Sequence, residues 1–222
     1  MKAGIFDMLG PIMVGPSSSH TAGAVRLGLM ARKILGTNIT SAKIILHGSF
    51  AETGKGHGTH FALIAGLLGM QPDDSRIKQA LEIAEKEKML VQFENAHLGD
   101  VHPNSVKFLL TGAGGEKAQV TGCSVGGGRI LITEVNEFAV EFTGEYPALV
   151  LQYLDSPGMV AEITKILAVA RINIAQMRVS REGKGRKALA VIETDEKIRK
   201  EVLQAIGELA KIDRVMFIEP LN

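Results

Sequence analysis

Residues 148–222 alternate between the two-residue and 3.6-residue hydrophobic periods in an order that few folds accommodate. Ala148–Leu154 reads as a strand. Ser156-Pro157-Gly158 resembles a helix start, with Ser156 as N-cap and Pro157 at the first helical position. Ile163, Ile166, Leu167 and Ala170 then fall on one helical face. Asn173–Ser180 and Lys187–Thr194 read as strands joined by the charged, glycine-containing turn Arg181–Gly185. Asp195 is a candidate cap for a second helix with Ile198, Val202, Ile206 and Leu209 in one stripe, and Val215–Glu219 supplies a last strand. The order βαββαβ predicts a ferredoxin-like unit with both helices on one face of a four-stranded sheet.

The upstream sequence is different in kind. Residues 1–147 hold 21 of the 25 glycines and all six histidines, which places any proton chemistry there. Gly144-Glu145-Tyr146-Pro147 punctuates the boundary, giving domains 1–144 and 148–222. Thr21–Leu35 reads as a helix apolar nearly all round, with Arg26 and Lys33 as its polar stripe. Lys43–His47 is a strand, Thr59–Met70 an apolar helix, and Asp73 or Asp74 caps a more polar helix reaching about Lys88. Val91–Glu94, Ser105–Thr111, Glu116–Thr121, Arg129–Val135 and Phe138–Phe142 are candidate strands. The fold class is α+β, with a mixed α/β first domain carrying a late antiparallel sheet.

Composition narrows the partners. Lys plus Arg is 25 against 24 for Asp plus Glu, aromatics are 5% and Trp is absent, so neither a basic field nor a stacking platform for nucleic acid is expected. No stretch has the length of a transmembrane helix and the start, Met1–Gly10, does not read as a signal peptide. The expectation is a cytoplasmic chain with no membrane partner. Its one cysteine, Cys123, supplies too few thiolates for a zinc site, a disulfide or an iron–sulfur cluster, and is expected to pack as a small apolar group.

Two segments concentrate chemistry. Gly15-Pro16-Ser17-Ser18-Ser19-His20-Thr21 precedes the buried helix, where unpaired N–H groups and the positive end of the helix dipole favour an anion. Simple capping needs one hydroxyl, not three serines and a histidine. The segment from His47 to His60 follows a strand and contains Gly54-Lys55-Gly56-His57-Gly58-Thr59. It lacks the order of a phosphate loop, and His57 with His60 has no third ligand at recognisable spacing, so no metal is assigned. His97–Asn104, with His102, reads equally as a turn or a site. Ser124–Gly128 reads as a hairpin or bulge beside a solvated Arg129.

Asp155-Ser156-Pro157-Gly158-Met159 followed by Arg171-Ile172-Asn173-Ile174 resembles an ACT domain, a small ligand-sensing module that commonly pairs with another copy. Gly15–Thr21 and Gly54–Thr59, in that order, resemble the signature segments of the beta chain of bacterial iron–sulfur-dependent L-serine dehydratases. Phe6–Pro11, His102-Pro103-Asn104 and Ser124–Gly128 are further landmarks. His60 stands where that family usually has Asp, which removes the usual carboxylate support at this point. The resemblance implies deamination of L-serine to pyruvate and ammonia with a 4Fe-4S cluster held by a separate alpha subunit. It implies catalytic roles for His20 and His57, substrate contacts from Ser17, Ser18, Ser19, Thr21, Lys55 and Thr59, and self-association through the ACT part. Asp155, Ser156, Gly158 and Asn173 are the corresponding ACT ligand loop. The alternative is an allosteric module that binds serine or another anion without catalytic residues, since similar beta-like domains stand beside ACT domains in some serine-biosynthetic dehydrogenases.

Overall fold

The computed structural model describes residues 12–221. The Phe6–Pro11 landmark and the segment Met1–Gly10 lie outside the described residues. The chain divides into two compact units, the first ending at Asn136 and the second beginning at Glu137. Phe138–Phe142 therefore falls with the second unit, whereas the division expected after residue 144 assigns it to the first.

In the first unit, strands β1 (Ile39–Leu46), β2 (Leu90–Asn95), β3 (Ser105–Gly112), β4 (Lys117–Gly126) and β5 (Arg129–Val135) lie in the order β2-β1-β3-β4-β5. β1, β3, β4 and β5 pair antiparallel, but β2 pairs with β1 in parallel, which the expected antiparallel sheet did not contain. β1 and β4 are also longer than their hydrophobic runs indicated. Ladder hydrogen bonds carry β1 back through Ile39 and β4 on to Gly126, past the point where alternation is readable. Ala42, Ile44, Leu46, Val106, Phe108, Leu110 and Val120 point to the covered face. On the other face Lys43 pairs with Glu94 at 2.7 Å, and Glu134 accepts from Gln119 at 2.8 Å. Alternation thus sets which face is covered.

Helix α1 (Ala24–Leu35) lies on that apolar face and α4 (Thr59–Leu67) packs on α1 from the other side. A helix between a sheet and a second helix needs apolar residues all round, as its sequence has. Gly122 lets α1 approach the sheet, because a Cβ there would stand 2.9 Å from Leu27 Cδ2. Gly28 and Gly66 form the helix crossing. A Cβ on Gly28 would meet Leu63 O at 2.3 Å, and one on Gly66 would meet Val25 O at 2.1 Å. Arg32 donates to Leu67 O at 2.8 Å further along, so α1 and α4 run parallel and their N-termini share one end. The segment between β1 and α4 is helical rather than a loop, with α2 (Gly48–Glu52) and α3 (Gly54–His57). A 3₁₀ turn at Ser75–Gln79, capped by Asp74, leads into α5 (Ala80–Lys86).

In the second unit, strands β7 (Ala148–Leu154), β8 (Ile174–Arg181), β9 (Lys187–Thr194) and β10 (Ile212–Ile218) form a sheet of order β10-β7-β9-β8. The strand β6 (Phe138–Phe142) reaches β8 through an Arg178–Glu141 ion pair at 2.6 Å. Helices α6 (Met159–Val169) and α7 (Lys200–Gly207) cover one face through Ile163, Leu167, Val202 and Ile206, against Leu149, Leu151, Tyr153, Ala190 and Ile192. This is the ferredoxin-like arrangement expected from the periodicity. Both expected caps are corrected. Gly158, at φ +94°, is the N-cap of α6, and Pro157 precedes the helix. Arg199 is the N-cap of α7, because the Asp195 carboxylate is occupied by Asn173 Nδ2 at 2.6 Å.

No helix among the described residues is long and apolar enough to cross a membrane.

Candidate functional site

The entrance to α1 is a π-helical segment, Ser18–Gly23, rather than the α-helix expected from Thr21. Ser17 caps it, its Oγ accepting from His20 N–H at 3.2 Å. The wider π turn seats Gly23 against β4, where a Cβ would stand 2.1 Å from Ser124 Oγ. Gly23 and the serine of the Ser124–Gly128 landmark thus set the height of the segment above the sheet. Arg26 also donates to Gly128 O at 3.0 Å and fixes the hairpin, while Arg129 is exposed as expected.

His20 is buried, and both of its ring nitrogens are occupied. Nδ1 lies 3.4 Å from Ser17 Oγ, and Nε2 lies 3.1 Å from Thr53 Oγ1 and 3.2 Å from Ser49 Oγ. Thr53 Oγ1 donates to Ser49 O at 2.9 Å, so it receives the Nε2–H of His20. The Phe50 ring closes on His20 edge-on at 5.2 Å. Burial lowers the His20 pKa from its ordinary value, against an opposing hydrogen bond to the Ser49 backbone carbonyl, and the nearby His57 lowers it further. His20 is therefore a neutral, oriented imidazole.

His57 lies 4.8 Å from His20, ring centre to ring centre. It ends α3 and is exposed. Its Nδ1 is 3.0 Å from Thr53 O, a carbonyl that only accepts, so Nδ1 bears a proton and Nε2 is the nitrogen not engaged by this contact. Thr53 is the node, with its hydroxyl on His20 and its carbonyl on His57. Gly58 follows at φ +73°, a left-handed turn that lets α4 begin directly after His57. Sequence reasoning singled out neither Thr53 nor Ser49, since isolated hydroxyls carry no pattern.

The two signature segments meet at a cleft of about 270 Å³. Gly15, Thr21, Lys55, His57 and Gly58 line it, together with Phe61, Ile77 and Lys78. Of the substrate contacts expected from the resemblance, only Thr21 and Lys55 line this cleft. Ser17 is engaged with His20, Ser18 and Ser19 are half-buried, and Thr59 is fully buried. His60 turns to Phe93, ring centres 4.4 Å apart, and burial and then the Lys55 charge lower its pKa. His57 and His60 thus have different neighbours. His47 is buried and accepts Leu98 N–H at 3.2 Å, His102 accepts Asn104 N–H at 3.1 Å, and neither lines the cleft.

Cys123 is buried in β4, and burial raises its thiol pKa. Among the described residues no group of three or more His, Cys, Asp or Glu side chains is placed to hold a metal ion. One inaccessible thiol does not fit an iron–sulfur cluster.

In the second unit, Asp155 accepts from Arg181 at 3.2 Å and from Gly185 N–H at 3.3 Å, and Lys211 donates to Ser156 at 3.1 Å. A cleft of about 460 Å³ between α6 and the start of β8 is lined by Thr164, Lys165, Ile172 and Asn173. Asn173 alone of the four expected ligand-loop residues lines it.

An α+β unit with a pair of neighbouring imidazoles beside a cleft, joined to a ferredoxin-like unit, defines a two-module chain. Residues 4–135 match the family described as serine dehydratase beta chain, and residues 148–211 match the ACT domain. The chain belongs to the serine dehydratase beta chain family. It is 42% identical to a probable L-serine dehydratase, beta chain, of Bacillus subtilis, over 95% of this chain and 96% of that protein. It is 38% identical to an L-serine dehydratase, beta chain, of Peptoniphilus asaccharolyticus, over 96% and 97% respectively. A D-3-phosphoglycerate dehydrogenase of Synechocystis is 27% identical over 85% of this chain but only 34% of its own length.

Proposed function

We propose that this chain is the beta subunit of a cytoplasmic two-chain L-serine dehydratase, which converts L-serine to pyruvate and ammonia together with an alpha subunit. The near full-length relatives support the assignment, and the observation that carries it is the His20–Thr53–His57 arrangement. The α proton of serine must leave to a base and the β-hydroxyl must leave as water, giving an aminoacrylate that hydrolyses to pyruvate and ammonia. His57, whose Nδ1 is held by Thr53 O and whose ring is exposed, takes the α proton on Nε2. His20 does not take the proton in that step; it is a positioning residue that holds Thr53, whose carbonyl holds His57 Nδ1. The 4Fe-4S cluster belongs to the alpha chain in this reading, because Cys123 does not fit one.

The second unit supports self-association of the chain: Val179 on the edge strand β8 and Val160 and Val169 on α6 are exposed apolar groups. Asp155, Ser156, Gly158 and Asn173 remain its proposed ligand loop.

The second reading, a serine- or anion-binding regulatory module without catalytic residues, is favoured by the Synechocystis similarity, which spans both units. Mixing the purified chain with its alpha chain and measuring pyruvate release separates the two. The assigned function predicts release only from the mixture, no iron on this chain alone, and an oligomer of it in sedimentation. Equal release by the alpha chain alone contradicts the catalytic reading, and a monomer contradicts self-association.

A further inference from the structure

Helix α3 is too short and too glycine-rich to hold its own shape. It has four residues, Gly54, Lys55, Gly56 and His57, and a single turn of that composition is not stable by itself in water. Its hydrogen bonds are long: His57 N–H reaches Thr53 O at 3.3 Å and Gly58 N–H reaches Lys55 O at 3.4 Å. The direction of the His57 ring therefore depends on what grips α3 from outside. Gly54, the buried residue of α3, is where that grip falls.

Two consecutive residues of α4 supply it. A Cβ on Gly54 would stand 3.2 Å from Thr59 Cβ and 3.8 Å from His60 Cε1, so the first turn of α4 lies directly on the start of α3. Thr59 contributes packing, its Oγ1 being buried without a hydrogen-bond partner. His60 adds a directional contact, because its ring is hydrogen-bonded to the Gly54 backbone carbonyl, which only accepts. Burial and the Lys55 charge disfavour the imidazolium, so this donor is a neutral ring. The same ring is braced by Phe93, edge-on with centres 4.4 Å apart and planes at 61°. Phe93 stands opposite Ile44 in the parallel ladder of β2 and β1, which anchors the brace in the sheet.

We propose that His60 is a positioning residue for His57: braced by Phe93, it clamps the Gly54 carbonyl and fixes α3, which keeps His57 Nδ1 on Thr53 O. The proposal rests on the reading of His57 as the group that takes the α proton. His60 does not line the cleft and moves no proton itself.

The test is NMR of the imidazole nitrogens in the full chain, with the assembled complex assayed in parallel. His60→Phe keeps an aromatic edge for Phe93 but has no N–H for Gly54, and it shifts the His57 nitrogens toward the signals of an unrestrained imidazole. His60→Asn or His60→Gln, each carrying an amide N–H, recovers them. Phe93→Leu leaves the His60 nitrogens intact but removes the brace, and it moves His57 in the same direction as His60→Phe. Gln92→Ala, at an exposed position of the same strand, changes nothing. In the assembled complex His60→Phe lowers kcat about ten- to hundredfold, the scale of a misplaced reacting group, and leaves KM for L-serine nearly unchanged. Unchanged His57 signals in both His60→Phe and Phe93→Leu overturn the clamp. So does a lack of recovery with either amide, or a raised KM with wild-type kcat. A wild-type complex that fails to deaminate serine while the signals move as stated strikes the functional reading and leaves the clamp standing.

Discussion

His20 shows how little of a residue's role its identity conveys. As the centre of a Ser-Ser-Ser-His-Thr run it reads as an acid–base group; burial lowers its pKa and contacts at both ring nitrogens hold its orientation, which supports the positioning role proposed for it. Its effect on stability follows from that. The folded pKa lies below the ordinary 6.5, so as pH falls through about 6.5 the unfolded chain takes up the proton first and stability declines toward the folded value. His60 acts in the same direction. Urea unfolding at a series of pH values should show this acid-side slope, reduced but not abolished in His20→Asn. An unchanged slope contradicts the buried, neutral assignment. The motifs located His20 and His57 because a histidine among glycines or serines is a visible pattern. Thr53 and Ser49 were not legible, because each is an ordinary polar residue whose contacts depend on where the fold places it.

At the scale of elements, the site is set by a crossing that contains none of its residues. Gly28 and Gly66 let α1 and α4 touch backbone to backbone, and this contact brings Thr21 and Gly58 to the same wall. In Gly66→Ala the added methyl meets Val25 O, a backbone atom that moves only with its helix. The expected destabilisation is about 1–3 kcal/mol, the range for overpacking. Activity of the assembled enzyme should fall more than that loss of folded protein explains, because the two helix ends separate. Thermal melting and turnover measured together check it, and wild-type turnover in a destabilised Gly66→Ala chain contradicts the positioning role. The βαββαβ unit was legible because its two periods are clean, and α1 because it is apolar all round. The parallel strand β2 was not, since pairing direction leaves no mark on a strand's own sequence. Nor was the start of α7, because Asp195 satisfies Asn173 instead of a helix end. The helices α2 and α3 escaped because glycine at Gly48, Gly54 and Gly56 argues for a loop.

At the scale of the whole molecule, the chain supplies two neighbouring imidazoles beside a cleft, but its one cysteine is buried in a strand. In the proposed function the remaining chemistry lies on an alpha chain, and the exposed ring of His57 is the group presented to it. The most direct measurement is kcat and the serine dependence of the two-chain complex carrying His57→Ala. The account predicts turnover at least about a hundredfold lower, the scale of a lost acid–base group. Unchanged turnover with only a displaced serine-activation curve would contradict it and leave the regulatory reading standing.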